Sequence, residues 1–243
     1  MISIYLVLIF IATLAGGFIP IVFKQIKPDF FFYLLAFTGA FLFGITVLHL
    51  IPETFGELGR KAGIWIVIGF FLQVFLQQLS QGLEHGHTHI PGEAHQHAAL
   101  STLMIGLSLH AFMEGIPLGF KYDDPSTLPS LFLAIVVHKI PEALTLMTVL
   151  IFSKPGKKSN LLLIALFAVV TPLAAILATV LSDNFAAVSH ILLYVIAIVI
   201  GAFLHISTTI FFESGTKHHE LSWRKTVAIS LGLVVALSTL LIE

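Results

Sequence analysis

The sequence predicts an all-α fold, a polytopic bundle of eight transmembrane helices, and three observations predict it. First, 57% of the 243 residues are hydrophobic and only 10% are charged, with 22 Phe and a mean hydropathy of +1.01. A soluble domain of this size has no interior large enough for that content, so much of the apolar surface must face lipid. Second, eight stretches approach or exceed the roughly 20 apolar residues that a helix needs to cross about 30 Å of hydrocarbon. Third, most of the charge, Gly and Pro collects in the short segments between them, where the backbone returns to water.

The first stretch, Ile4–Phe23, has no basic leader and is longer than the apolar part of a cleaved signal, so it reads as a span. Lys24–Asp29 turns the chain into the second, Phe30–Ile51. The third, Ile64–Gln81, follows Gly56–Gly63 and is interrupted by Gln73, Gln77 and Gln78. Gln73 and Gln77 stand four apart on one helical face, which must turn to protein or water. The fourth and fifth spans, Ala99–Phe120 and Leu128–Phe152, flank the polar Lys121–Pro129 segment. Ser153–Asn160 leads to the sixth, Leu161–Leu181; the seventh is Val188–Phe211 and, past Gly215–Lys225, the eighth is Thr226–Ile242.

Alternating these spans places Lys24, Lys27, Lys154, Lys157, Lys158, Lys217, Arg224 and Lys225 on one side, and only Arg60, Lys61 and Lys121 on the other. The excess of basic residues marks the cytoplasmic side, so both termini are expected outside, in a plasma or inner membrane. Twelve basic against thirteen acidic residues leave no basic surface for nucleic acid. With no Cys in the chain, any metal must be held by nitrogen and oxygen.

Between the third and fourth spans, residues 84–97 carry five of the twelve His: His85, His87, His89, His95 and His97. With Gly and Pro among them and little to bury, they are expected to form a solvated loop able to capture metal weakly.

Inside the fourth and fifth spans stand two His-x-x-x-Glu pairs, His110/Glu114 and His138/Glu142. A charged side chain at the bilayer centre costs about 2.5–3.5 kcal/mol on insertion scales, so such groups mark ion or proton pathways. The i, i+4 spacing sets imidazole and carboxylate on one face of each helix. Two such faces brought together make four ligands suited to zinc or another divalent first-row metal. Simple interhelical hydrogen bonding is the competing account, and it does not call for four ionisable groups. Pro117 and Pro141 are expected to kink the two helices and free carbonyls near the site. Lys139, beside His138 and well inside the span, can balance buried carboxylates in place of a second cation; if it points inward, one metal is bound.

His49 and Glu53, in His-x-x-Pro-Glu at the end of the second span, are candidates for a mouth or relay, in contact with headgroups and water. His205 and Glu213 of the seventh span are further pathway candidates, and Thr171, before Pro172, offers a hydroxyl or loosened carbonyl.

These residues resemble the ZIP family (Zrt/Irt-like proteins) of divalent-metal transporters over essentially the whole chain. The match lies in eight spans, outward termini, a His-rich loop after the third, and His-x-x-x-Glu-Gly followed by His-x-x-x-Glu. The resemblance implies one ZIP-like transmembrane domain over 1–243, with His110, Glu114, His138 and Glu142 as metal ligands. It also implies zinc, or else iron, manganese or cadmium, as substrate carried into the cytoplasm, with no catalytic cofactor. Members with a two-metal centre often have Asn after the first His and Asp or Asn after the second; Ala111 and Lys139 stand there instead. Family members are thought to slide their metal-bearing helices like an elevator, often as dimers, and faces with Gly39, Gly44, Gly115 and Gly119 are consistent with this. Two readings stay open beside zinc uptake: metal export through the same site, and an intramembrane zinc-dependent hydrolase, against which stands the absence of His-Glu-x-x-His.

Overall fold

The computed structural model of the chain describes residues 2–23, 28–80, 96–153, 156–213 and 222–241, whose regular structure is entirely helical. The helices are α1 (Ile2–Val22), α2 (Pro28–Ile45), α3 (Ile51–Leu58), α4 (Lys61–Ser80), α5 (Gln96–Leu118), α6 (Thr127–Phe152), α7 (Lys157–Asn184), α8 (Ala186–Glu213) and α9 (Trp223–Ser238). A π-helical turn, Thr46–Leu50, joins α2 to α3 as one rod, and a three-ten turn, Thr239–Leu241, extends α9. Eight rods therefore stand where eight spans are expected. Seven are long and apolar enough to cross a membrane. The eighth rod, α5, has the length, but Ser101, Thr102, Ser108, His110 and Glu114 dilute its apolar content.

The rods sort by their packing into two groups. One joins α1, α5, α6 and α7; the other joins α2, α3, α4, α8 and α9. Between the groups, α5 meets α4, α6 meets α2, and α7 meets α8. Apolar helices gain no hydrophobic drive from one another in lipid, so close backbone approach at small residues must hold them. At the α4–α8 crossing, Gly69 lies against the backbone of Ile198, and Gly201 against that of Ile66 and Phe70. At the α5–α7 crossing, Gly115 and Gly119 lie against the carbonyls of Thr171 and Ala175. Gly39 and Gly44 likewise face Ile210 of α8 and Ala236 of α9, so all four glycines of the expected small-residue faces serve packing within this chain.

Burial ranks the rods by depth. Of the residues in the most apolar window, 67% are buried in α6 but 17% in α4. The exposed side chains of the outer rods, among them Ile4, Ile64, Phe71, Phe75, Leu162 and Val234, form the surface that lipid must cover.

The two largest of four apolar clusters among the described residues fill most of the interior. One draws on both groups, with Phe41, Leu50, Leu118, Leu131, Ile135 and Phe203; the other lies within the first group, with Leu103, Leu107, Met147, Leu150 and Phe167. Along α5, His110 and Glu114 fall between Leu107 and Leu118; along α6, His138 and Glu142 fall between Ile135 and Leu146. The polar pairs thus occupy the seam between two dry clusters.

Two local expectations need correction. The second span does not close at His49–Glu53: the π turn carries the rod on to Leu58, and His49 is 2% exposed. The N–H of Ile51 reaches back five residues to the carbonyl of Thr46, and this widened register is where Pro52, with no N–H of its own, enters α3. Pro117, for its part, stands in the last turn of α5 and helps end it rather than kinking its middle. The N–H groups of Gly119 and Phe120 then close on the carbonyls of Ile116 and Pro117 at 3.1 and 3.2 Å.

Candidate metal centre

Consecutive antiparallel helices give α5 and α6 facing polar stripes, because a four-residue step advances little more than one turn on each. Their meeting places one ligand atom each of His110, Glu114, His138 and Glu142 within 4.8 Å of one another. All four side chains are buried, at 1% exposure or less. His110 Nε2 lies 3.1 Å from Glu114 Oε1 and 3.7 Å from Glu142 Oε1, and His138 Nε2 lies 3.7 Å from Glu114 Oε1. The two imidazole rings stand nearly perpendicular, with centroids 6.2 Å apart.

These short distances are not hydrogen bonds. Among the described residues, neither ring nitrogen of His110 or His138 has a hydrogen-bond partner, and neither do Glu114 Oε1 and Glu142 Oε1. Buried polar atoms left unsatisfied cost free energy, most of all in a dry interior. Side chains this close that do not bond one another leave their donor atoms open to a shared cation. Two imidazole nitrogens and two carboxylate oxygens are a donor set that fits zinc and its first-row neighbours.

Lys139 points into the same cluster. Its ammonium contacts Glu114 Oε2 and lies 2.5 Å from Glu142 Oε2. Each carboxylate is thereby divided, with Oε1 toward the imidazoles and Oε2 on the lysine. The ammonium also sits 5.1 Å from the ring centroid of Phe167, on α7. Ala111 supplies no ligand atom; it packs in the inner apolar cluster, and its carbonyl accepts the hydroxyl of Thr171 at 2.9 Å. Thr171 therefore ties α7 to α5 behind the site.

The other expected positions scatter. His49, turned inward from the π segment, pairs through Nε2 with Thr239 Oγ1 at 2.8 Å and approaches Ser126 Oγ at 3.4 Å and Asp124 Oδ2 at 3.9 Å through Nδ1. Glu53 accepts from the backbone N–H of Asp123 at 2.5 Å and, at 3.4 Å, from the N–H of Asp124 and the hydroxyl of Thr127. Both residues thus fasten the α2–α3 rod to the start of α6. Hydrogen bonds from the Ser126 N–H, against some desolvation, hold the Asp124 carboxyl below the usual carboxylate range, with the Ser126 hydroxyl and His49 adding to the effect. A cavity of about 470 Å³ opens at this end, lined in part by Glu53, Glu57, Asp123 and His190.

His205 sits elsewhere. Its ring bridges Gln77 Oε1 of α4 at 2.8 Å and Thr209 Oγ1 at 3.2 Å, so the polar face of the third span turns to protein, with Gln73 fully buried beside it. Glu213 ends α8, and its side chain lies outside the described residues. So do His85, His87, His89 and His95, and the side chain of His97. Phe167, Ser126 and Thr239 are site neighbours that the sequence did not single out. Only Phe167 touches the cluster, and nothing in an apolar span distinguishes it from the phenylalanines that face lipid.

Comparison with known proteins points the same way as this geometry. The family model described as "ZIP Zinc transporter" matches residues 77–240. The chain is 29% identical over 124 residues to "Zinc transporter ZIP9" of Micropogonias undulatus, and 29% identical over 124 residues to "Zinc transporter ZIP9-B" of Xenopus laevis. Each alignment takes in 50% of this chain, and 39% and 40% of the two relatives' lengths.

Proposed function

The chain belongs to the ZIP zinc transporter family, and from that premise we propose that it carries zinc across a membrane into the cytoplasm through the His110, Glu114, His138 and Glu142 cluster. The observation that carries this reading is the convergence of four buried ligand atoms with no hydrogen bonds between the imidazoles and the Oε1 oxygens. The two carboxylates offset most of the positive charge of a divalent cation and the neighbouring Lys139 ammonium, which is what lets such a cation sit in a buried site.

One ion rather than two fills the site in this reading. Lys139 already engages the Oε2 oxygens that a second cation would need, and Ala111 offers no ligand. With four protein ligands, zinc keeps no open position for an activated water, which favours transport over hydrolysis. Iron(II), manganese and cadmium fit a similar donor set, so selectivity is a matter of geometry.

Apolar clusters flank the ligands toward both ends of the bundle, so an ion leaves only when helices rearrange. Movement of the α1, α5, α6, α7 group against the other group fits the packing, and a homodimer is part of the same proposal. With the basic segments cytoplasmic, the carboxylate-lined cavity at Glu53 and Glu57 lies outside and draws cations toward the entrance. The His-rich segment 84–97 then lies on the cytoplasmic side as a weak capture loop.

The experiment is zinc flux into proteoliposomes holding the purified protein. Glu142→Ala is expected to lower the initial rate at least tenfold while leaving yield and thermal stability close to the parent. Near-normal flux from a folded Glu142→Ala protein would sink the proposal. Inward-facing and outward-facing protein, separated by a sided inhibitor, test direction.

A further inference from the structure

We propose that Phe167, on α7 and outside the ligand set, is the positioning residue that seats Lys139 between Glu114 and Glu142 and so confines the centre to a single divalent cation. The inference rests on the reading above that these four residues bind the transported metal, and it adds what keeps the second position closed.

A lysine reaches its partners through four rotatable bonds, and within its own helix only Glu142, three residues on, is seen to hold the ammonium. Two carboxylate oxygens take two of its directions. The face of Phe167 takes another, at 5.1 Å from the ring centroid, within the range where an aromatic quadrupole attracts a cation. Both side chains are 1% exposed, so the ammonium is shielded from bulk solvent and the attraction is stronger than it would be at the surface.

The position of Phe167 is itself determined. Thr171 lies one turn along α7 and bonds the Ala111 carbonyl at 2.9 Å, and Gly115 rests against the Thr171 backbone. These contacts lock the register of α7 on α5, the helix that carries His110 and Glu114. The ring therefore backs the ammonium at a height set by the packing of α7 on α5, one of the two helices that carry the cluster. A leucine of similar bulk would fill the space but offer no negative ring face, and the lysine could swing from the carboxylates, leaving both Oε2 atoms to a second ion.

The test is metal analysis of the purified full-length protein equilibrated with zinc, comparing parent, Phe167→Leu, Phe167→Met, Phe167→Tyr and Lys139→Met. The parent and Phe167→Tyr should hold one zinc per chain. Phe167→Leu and Phe167→Met should hold more than one, with the affinity for the first ion changed by roughly tenfold. In a Lys139→Met background the Phe167 substitutions should add nothing. Parent-like stoichiometry and affinity in folded Phe167→Leu and Phe167→Met, or an effect that persists undiminished without Lys139, overturns the inference. Glu142→Ala retaining parent-level zinc overturns the site reading itself, and this inference with it, so the two failures are told apart.

Discussion

At the scale of the residue, the candidate centre divides each carboxylate between two contacts. Oε1 of Glu114 and Glu142 faces the imidazoles, and Oε2 is held by Lys139, which under the proposed function stands in for a second cation. Lys139→Asp should reverse this: a carboxylate replaces the ammonium, and zinc bound per chain should rise from one to two, read by metal analysis of purified protein. Unchanged stoichiometry and selectivity would remove the electrostatic role given to this lysine. His205 provides the contrast. Its contacts with Gln77 on α4 and with Thr209 on its own helix engage both ring nitrogens, an arrangement that helix-to-helix hydrogen bonding accounts for. Such bonds within membranes average about 0.6 kcal/mol and reach about 2 kcal/mol. His205→Ala is therefore expected to lower the melting temperature modestly and leave zinc flux close to the parent's; loss of flux at unchanged stability would make it a pathway residue.

At the scale of the element, glycine decides which helices can touch. Gly115 brings α5 onto the backbone of Thr171, and any side chain there must push the two helices apart. Gly56 has open space around it. Gly115→Ala should therefore destabilise by about 1–3 kcal/mol, as overpacking does, while Gly56→Ala stays near neutral. Thermal unfolding of both variants in the same detergent measures the difference, and equal melting temperatures would refute the packing argument. The π turn matters in the same way. By offsetting the register after Ile45, it turns His49 toward Thr239 and Ser126, where a regular helix ending at Ile51 was expected to leave it among headgroups. The His-x-x-Pro-Glu sequence announced a special segment; the identity of its partners depended on α6 and α9, which are distant in the chain.

At the scale of the whole molecule, the two helix groups meet along interfaces in which α2 and α6 are the most buried rods. Orientation is a property of the assembled chain in its membrane, argued from the distribution of basic residues. The absence of Cys makes this directly testable. Glu57→Cys should react with a membrane-impermeant maleimide added outside intact cells, whereas Lys158→Cys should react only after the membrane is opened. The opposite pattern would invert the topology and turn proposed uptake into export.

The sequence by itself determined the helical class and the eight rods and singled out the four candidate metal ligands, because hydropathy and i, i+4 spacing are local properties that survive without tertiary contacts. The cost of burying His and Glu in lipid made His110, Glu114, His138 and Glu142 conspicuous. Tertiary structure decided what depends on neighbours remote in sequence: that Lys139 spans both carboxylates, that Phe167 backs it, that His49 is buried and that His205 bonds α4. Those outcomes follow from the relative rotation and depth of packed helices, which close glycine crossings fix and no single helix encodes.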